Sequence, residues 1–388
     1  QILDLPFVDM RTAFLFLLPS VAFGRLLPQQ FRLPAHVPGL DVDCPCDDAS
    51  LCDVLSSQVD TELFGFGADN FADGPGFDWD AMTTIAWGSG ADLICKAHSE
   101  NVRVIAAASP PLTDNQTAID VFIQSTVKSM QQNFYDGITF DWESPVDSPE
   151  DPLNTYYLDV VSQTTAALKA VNPDYQVSLC AAWSPFGIDG RWYDYFGLAA
   201  AVDFLYVMCY DVRSQIFDQC VASANSPINL CKKGIEEFNA AGISNDKLVL
   251  GMPWYGYRYE CVNEDFDVES SSTCEIAQVP FRGVNCSDAA GSEIAFGSIR
   301  NIVRTYDAEV RRDPYMNVPF FNYVDSTSLK TYQIWYDDAD SLQGHYDYVR
   351  EQGLRGAGPY RFDQVDLDSD DGVEEAKEMF AALKTAAD

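Results

Sequence analysis

Two acidic side chains end one apolar strand pattern, and their spacing suits proton-transfer chemistry. Residues 136–143 read DGITFDWE, and the alternation of a strand puts Asp141 and Glu143 on one face with Gly137 and Thr139. Burying two carboxyl groups side by side raises the pKa of one of them, so chance placement is disfavoured. Such a pair suits general acid catalysis on a glycosidic oxygen. The alternative is a solvated strand end with ordinary acidic residues.

The strand with this acidic pair is one of a regular series of strand and helix patterns. Apolar runs of strand length occupy residues 62–66, 82–87, 102–108, 137–143, 176–182, 204–211, 247–254 and 356–362. Amphipathic helix patterns lie between or after them, as at Tyr157, Val161, Thr164, Leu168 and Val171 and at Val373, Ala376, Phe380 and Leu383. This repetition predicts an α/β fold, a (β/α)8 TIM barrel, with a doubly wound sheet as the alternative. Barrel enzymes place catalysis at the C-terminal ends of their strands, where Asp141 and Glu143 lie.

Three segments are expected along the chain. Residues 1–24 are upstream residues and a signal peptide, residues 25–60 a Cys-containing leader, and residues 61–388 the catalytic barrel. Within the barrel, residues 255–331 are too long for an ordinary loop and predict a disulfide-tied excursion after the seventh strand, over the barrel mouth. Residues 332–336 alternate like a short strand.

The N-terminal pattern indicates a secretory signal. Met10 and Arg11 precede an apolar stretch over residues 12–23, and Gly24 follows as part of a small-residue cleavage site. The stretch is too short to span a bilayer, and a buried N-terminal helix is the alternative. We expect Met10 to be the natural start, with residues 1–9 upstream of it. The signal predicts the secretory pathway, with the lysosome or the extracellular space as the destination.

The eleven cysteines agree with an oxidising compartment. Those expected in disulfides lie in loop-rich segments: Cys44, Cys46, Cys52, Cys220, Cys231, Cys261, Cys274 and Cys286. Cys180 and Cys209 lie in apolar runs and are expected to be buried free thiols. A zinc cluster is disfavoured because no pair has C-x2-C spacing and no histidine accompanies the group. Two sequons, at Asn115 and Asn285, allow N-glycosylation.

Composition excludes several classes of partner. Lys and Arg total 24 against 59 Asp and Glu, a formal net charge of −35 that repels phosphate backbones and anionic lipids. Nucleic-acid and membrane binding are therefore not expected, whereas a neutral ligand is not disfavoured. The 47% of apolar residues can form a sizeable core, and we expect a monomer. No phosphate-binding glycine loop or metal-ligand spacing is present, so no cofactor and no metal are expected.

Three ordered motifs resemble those of the family-18 glycoside hydrolases. Residues 136–143 are similar to the D-G-x-D-x-D-x-E signature, with Glu143 at the proton-donor position. Residues 206–211, YVMCYD, resemble the Y-x-x-M-x-Y-D strand, and residues 251–256, GMPWYG, resemble G-x-P-x-Y-G. Further segments resemble a branch of the family that cleaves the chitobiose core of asparagine-linked glycans, among them residues 279–283.

The resemblance implies a TIM-barrel glycosidase that cleaves β-1,4 linkages between N-acetylglucosamine residues, in the chitobiose core of N-glycans or in chitooligosaccharides. It implies a substrate-assisted retaining mechanism in which Glu143 is the acid and Asp141 and Tyr210 hold the acetamido group. Substrate-binding residues implied by the family are Asp211, Trp335, Tyr360 and Asp136. A chitinase or an endo-acting N-glycan glycosidase is the alternative within enzymes. Non-catalytic lectins of the family usually lose the terminal Glu, which is present as Glu143.

The sequence departs from the family pattern at three places. Thr139 replaces the second Asp of the signature, so Asp141 has no inward carboxyl group two residues back and is expected to ionise more readily than in chitinases. Tyr360 takes the place of the Trp that usually forms the sugar-stacking floor, and stacking on a smaller ring is expected. Residues 106–109 lack the typical Ser-x-Gly-Gly, which weakens the case for a long chitin-binding cleft.

Overall fold

The structure is a computed structural model that describes residues 42–56, 58–67, 76–213 and 219–388. The expected signal peptide and the first part of the leader lie outside the described residues. The helices that the model describes include none that is long and apolar enough to cross a membrane.

Eight parallel strands close into a barrel, as the sequence predicts. They are β1 (Glu62–Phe66), β2 (Thr84–Ala86), β3 (Arg103–Ala108), β4 (Gly137–Phe140), β5 (Gln176–Ala182), β6 (Phe204–Met208), β7 (Leu248–Pro253) and β13 (Gly356–Tyr360). The order around the barrel is β1-β13-β7-β6-β5-β4-β3-β2. Because all neighbours run parallel, every strand presents its C-terminal end at the same mouth.

Helices pack on the outside of the barrel in the described part of the chain. They are α1 (Ala91–Ser99), α2 (Gln116–Asn133), α3 (Pro152–Val171), α4 (Tyr195–Ala201), α5 (Ile228–Ala240), α6 (Phe296–Tyr306), α7 (Ala339–Gln352) and α8 (Asp370–Lys384). Short 3-10 turns occupy Ala49–Cys52, Trp79–Ala81, Ile188–Gly190, Asn245–Lys247, Asp288–Ala290 and Phe362–Gln364. Local sequence sets where several helices begin: the Asp151 side chain accepts a hydrogen bond from the Leu153 N–H at the start of α3, and Asp338 and Ser341 form a capping box on α7.

The barrel interior is aromatic at its centre. Phe64 of β1 and Phe204 of β6 meet edge to face with ring centroids 5.4 Å apart, and the Tyr206 hydroxyl donates to the Gly358 carbonyl oxygen at 3.1 Å. A Cβ atom at Gly251 would lie 2.4 Å from the Tyr206 ring, so this position of β7 needs a glycine. The alternate residues of the strands pack outward against the helices in a separate apolar layer.

The expected excursion is a second sheet. Five antiparallel strands follow β7: β8 (Tyr255–Glu260), β9 (Gly291–Ala295), β10 (Arg311–Arg312), β11 (Pro319–Val324) and β12 (Thr331–Trp335), in the order β10-β11-β12-β8-β9. The short strand predicted at residues 332–336 is β12. We call residues 255–335, which also include α6, the insertion.

Five disulfides join Cys44 to Cys52, Cys46 to Cys95, Cys209 to Cys231, Cys220 to Cys286 and Cys261 to Cys274. The expected pairing of the insertion cysteines is confirmed, and Cys180 is a buried free thiol as predicted. The prediction for Cys209 is wrong: the end of β6 brings it against Cys231 of α5, with Cα atoms 5.6 Å apart, and the two are bonded. Cys44, Cys46 and Cys52 lie close together, but disulfides use all three sulfurs.

Candidate active site

One cavity of about 500 Å³ opens at the C-terminal ends of the barrel strands. It brings together five of the residues that the sequence singled out, namely Asp141, Glu143, Tyr210, Asp211 and Tyr360. The insertion forms part of its wall through Phe281, Arg282 and Asp288, as expected for a segment over the barrel mouth. The barrel therefore supplies the floor of the cavity, and the insertion supplies one side.

Asp141 lies just beyond β4 and is largely buried. Burial, and then the negative charge of Glu143, raise the pKa of Asp141 from 3.8 to about 6. Its Oδ1 atom is buried and has no hydrogen-bond partner among the described residues. Burial and Glu143 thus disfavour the charged form of Asp141 even with Thr139 in place of a carboxylate. That Asp141 ionises more readily than its counterpart in chitinases stays a prediction.

Glu143 is the more accessible member of the pair, with 45% of its side chain exposed. Its Oε2 atom lies 2.8 Å from an Nη atom of Arg191, which follows the 3-10 turn after β5. The Arg282 guanidinium of the insertion donates to the Glu143 carbonyl oxygen at 3.2 Å. Neither arginine was among the predicted site residues, and residues 188–193 have no catalytic spacing that would identify Arg191.

Tyr210 and Asp211 follow β6 and face the same cavity. Burial raises the pKa of Tyr210 well above its usual value of 10.0, so its hydroxyl keeps its proton and can donate a hydrogen bond. Asp211 accepts hydrogen bonds from the hydroxyls of Tyr255 at 2.7 Å and Tyr257 at 3.1 Å. Burial, and then the charge of Asp288, raise the pKa of Asp211 to about 7.

Aromatic rings line the cavity floor around Tyr360. The Tyr360 centroid lies 5.5 Å from that of Phe66, 5.6 Å from that of Tyr210 and 6.1 Å from that of Trp87. Neighbouring rings hold Tyr360 at the end of β13, where its half-buried side chain borders the cavity. An aromatic floor of this kind can stack on the apolar face of a sugar ring.

Trp335 is not in this cavity, contrary to the resemblance. It lies on β12 with 5% of its surface exposed, stacks on Phe320 at 4.5 Å and donates its indole N–H to Gln333 at 2.7 Å. It lines a second cavity on the insertion, together with Arg311 and Met316. The structure does not place Trp335 at the cavity where the sugar contact was expected, because β12 belongs to the antiparallel sheet of the insertion and not to the barrel.

Asp136 is also separate from the cavity. It precedes β4 and therefore lies at the N-terminal end of the barrel, fully buried. Its carboxylate accepts hydrogen bonds from the Val104 N–H at 2.7 Å and the Leu55 N–H at 2.8 Å, and lies 2.9 Å from His98. These contacts connect the leader to the barrel, and the expected substrate contact is corrected accordingly.

Comparison with known proteins places the chain in one family. Residues 107–366 match the model of glycosyl hydrolases family 18. The chain is 38% identical over 367 residues to di-N-acetylchitobiase of Rattus norvegicus, covering 92% of this chain and 96% of the rat protein. It is 38% identical over 335 residues to probable di-N-acetylchitobiase 2 of Dictyostelium discoideum, covering 84% and 86%. The Homo sapiens di-N-acetylchitobiase is 34% identical over 350 residues, covering 88% of each.

Solved structures share the fold at low sequence identity. A chitinase from Trichuris suis superposes with a TM-score of 0.66 at 14% identity, covering 84% of this chain and all of that one. A class V chitinase mutant from Nicotiana tobaccum, solved in complex with NAG4, gives a TM-score of 0.61 at 17% identity, covering 82% and 98%. The chain is therefore a glycoside hydrolase that belongs to glycosyl hydrolases family 18.

Proposed function

We propose that the protein hydrolyses β-1,4 linkages between N-acetylglucosamine residues by a substrate-assisted retaining mechanism. The observation that supports this most directly is the meeting of Asp141, Glu143 and Tyr210 in one cavity at the barrel mouth. The substrate class is the chitobiose core of N-glycans or a chitooligosaccharide, in line with the names of the curated relatives. A cavity of about 500 Å³ suits a short oligosaccharide better than a long polymer.

Glu143 is the proton donor in the first step. It transfers its proton to the glycosidic oxygen as the bond from that oxygen to the anomeric carbon breaks. The carbonyl oxygen of the substrate's own acetamido group attacks the anomeric carbon and forms a cyclic oxazolinium. Because the acetamido group attacks, no enzyme nucleophile is required. Asp141, the carboxyl group beside the acid, is therefore available for another role.

Asp141 and Tyr210 position the acetamido group. Asp141 accepts a hydrogen bond from the amide N–H and stabilises the positive charge that develops on the oxazolinium, while the Tyr210 hydroxyl donates to the amide oxygen. Water then opens the oxazolinium from the opposite face, and the Glu143 carboxylate accepts its proton. Two inversions give net retention.

The stereochemistry of the first product tests this mechanism. We expect a β-anomer from a β-linked chitooligosaccharide, followed by proton NMR before mutarotation, and inhibition by a thiazoline mimic of the cyclic intermediate. Cellobiose lacks the acetamido group and serves as the matched control, with no cleavage expected. An initial α-anomer, or equal cleavage of cellobiose, would contradict the substrate-assisted mechanism even if Glu143 proved essential.

Product masses separate the chitobiose-core activity from its alternatives. Defined chitooligosaccharides and a released N-glycan are incubated with the purified protein and followed by mass spectrometry. Loss of one N-acetylglucosamine at a time indicates exo action, whereas internal fragments indicate a chitinase or an endo-acting N-glycan glycosidase. Binding without any product would support the lectin alternative.

We further propose that the protein works in the secretory pathway, in the lysosome or outside the cell, as a monomer. Its five disulfides support an oxidising compartment. Localisation of a tagged full-length chain with a lysosomal marker tests the first point, and light scattering at micromolar concentration tests the second. Cytosolic residence or a stable dimer would contradict these proposals.

A further inference from the structure

The proposed acid, Glu143, is bound to an arginine that the family motifs do not contain. The Arg191 Nη2 atom lies 2.8 Å from Glu143 Oε2 and 2.9 Å from Asp189 Oδ2. Only 10% of the Arg191 side chain is exposed, and Asp189 is equally buried at 9%. The largely buried Arg191 guanidinium therefore lies between two carboxylates, and one of them, Glu143, is the proposed acid.

The loop that holds this arginine is fixed to the catalytic loop by its backbone. The Val146 N–H, three residues after Glu143, donates to the Gly190 carbonyl oxygen at 2.8 Å. The Arg282 guanidinium donates to the carbonyl oxygens of Glu143 at 3.2 Å and of Asp189 at 3.1 Å. The insertion thus joins the two loops, so the backbones that carry Glu143 and Arg191 are held next to each other.

Several other groups surround Glu143 and Arg191, and their signs matter. From the described elements they are Asp141, Cys180, Asp189, Tyr193, Tyr195, Tyr210, Arg282 and Tyr360. Burial raises the pKa of Tyr193 and Tyr195 well above neutrality, so these two phenols carry no charge at working pH. Among the described residues, the Arg191 guanidinium contacts the Glu143 carboxylate itself, whereas Arg282 contacts only the carbonyl oxygens of Glu143 and Asp189. Asp189 partly offsets the charge of Arg191, and Asp288 adds a negative charge near Asp189.

We infer that Arg191 and Asp189 are a positioning pair that sets the pH range in which Glu143 works as acid and base. This inference rests on the proposed function. A guanidinium at 2.8 Å favours the carboxylate over the acid, whereas the negative charge of Asp189 reduces that preference. Neither residue touches the reacting atoms: both act through Glu143.

The pair acts on both steps of the proposed reaction. When Glu143 gives its proton to the glycosidic oxygen, the carboxylate that remains is bound by Arg191, which lowers the energy of the product of that transfer. In the second step the same carboxylate takes one proton from the attacking water and returns to the acid form. The positive charge of Arg191 disfavours this protonation of Glu143, and the negative charge of Asp189 weakens that effect.

Two substitutions in the pair should move the pH profile in opposite directions. Arg191→Gln removes the cation, so the basic limb of kcat/KM for a chitooligosaccharide should move up by about one pH unit. Asp189→Asn leaves the Arg191 charge less offset, so the limb should move down. Asn tolerates the left-handed backbone of Asp189, whose φ is 54°. Arg191→Lys keeps a positive charge at this position, so its basic limb should lie much closer to that of the parent chain than the limb of Arg191→Gln does.

A structural role alone would not separate the two variants. Limbs that stay in place, or that move in the same direction, would overturn the inference, and so would an Arg191→Lys profile like that of Arg191→Gln. Arg350→Gln removes an exposed ion pair with Asp347 on α7 and serves as the control, with the limb unchanged. If Glu143→Gln retains turnover, the proposed function fails first. If it is inactive and the limbs do not shift, only the inference on Arg191 fails.

Discussion

The two ends of the barrel both bury carboxyl groups, but the surroundings of these groups differ between the two ends. At the N-terminal end, Glu62 is fully buried and its Oε2 atom lies 2.7 Å from Arg103 and 2.8 Å from the Thr83 hydroxyl that donates to it. Arg355 approaches the other oxygen at 3.5 Å. Asp136 at the same end is equally well bonded, through two backbone N–H groups and His98.

At the C-terminal end, the surroundings of two carboxyl groups, Asp141 and Asp211, disfavour the charged form. Asp141 has no cation in contact among the described residues and a buried oxygen without a hydrogen bond, and its pKa is raised to about 6 by burial and then Glu143. Asp211 accepts hydrogen bonds from two tyrosine hydroxyls, and burial and then the charge of Asp288 raise its pKa to about 7. Carboxyl groups with strongly shifted pKa values cluster at functional sites, where a bound substrate can supply the hydrogen bonds that the protein does not. We therefore expect substitutions at the N-terminal end to lower stability and substitutions at the C-terminal end to lower activity.

Arg103→Met should give the largest effect at the N-terminal end. It leaves Glu62 buried with a weaker set of partners, and breaking a buried ion pair costs about 3–5 kcal/mol of unfolding free energy. Chemical denaturation measures the loss, and turnover per folded molecule on a chitooligosaccharide should stay near that of the parent chain. A stability within about 0.5 kcal/mol of the parent would show that Thr83 and Arg355 suffice.

Glu143→Gln should give the converse result at the C-terminal end. The amide keeps the shape of the side chain but cannot donate an acidic proton, so turnover should fall about 10²-fold while chitooligosaccharide binding remains measurable by calorimetry. The melting temperature should stay close to the parent value, since nearly half of the side chain is exposed. Near-normal turnover would remove Glu143 from the role of acid.

Asp141→Asn should separate activity from stability. The folded-state pKa of about 6 lies above the ordinary 3.8, so this carboxyl group lowers the stability of the fold increasingly as pH rises from about 4 to 6. The amide should therefore raise the unfolding free energy at neutral pH by roughly 1–3 kcal/mol while lowering turnover, because it holds the acetamido group less well. Thermal unfolding at acid and neutral pH checks the sign: a variant less stable than the parent at neutral pH would contradict it.

His98→Gln should give the smallest effect. Burial works against the charged imidazole, but the hydrogen bond and the charge of Asp136 outweigh it and raise the pKa of His98 above 6.5. The charged ring thus adds stability below about pH 6.5, and this contribution is lost as pH rises through the raised pKa. The variant should unfold roughly 1 kcal/mol more easily at acid pH, and the difference should shrink at alkaline pH. A pH-independent difference would argue against charge on His98.

Local sequence was enough to predict the barrel and the central residues of the cavity. The strand over residues 137–140, the two carboxyl groups after it and Tyr210 after β6 all follow from period-2 patterns and short motifs. Asp136, in the same motif, was misplaced even though it precedes β4 and therefore lies at the N-terminal end of the barrel, away from the cavity. Trp335 was misplaced because the sequence alone does not show that its strand, β12, pairs with β8 in the sheet of the insertion.

What the sequence determined by itself is the set of helices and strands, because their periods are visible in neighbouring residues. The acidic signature, which is equally local, predicts Glu143 as the acid. Only the tertiary structure decided what surrounds that acid. Arg191 meets Glu143 from 48 positions away, since 191 − 143 = 48, and Arg282 joins their loops from the insertion. Cys209 likewise met Cys231 only because β6 and α5 pack together. Such contacts depend on closure of the barrel and on the insertion folding over its mouth, which no local pattern records.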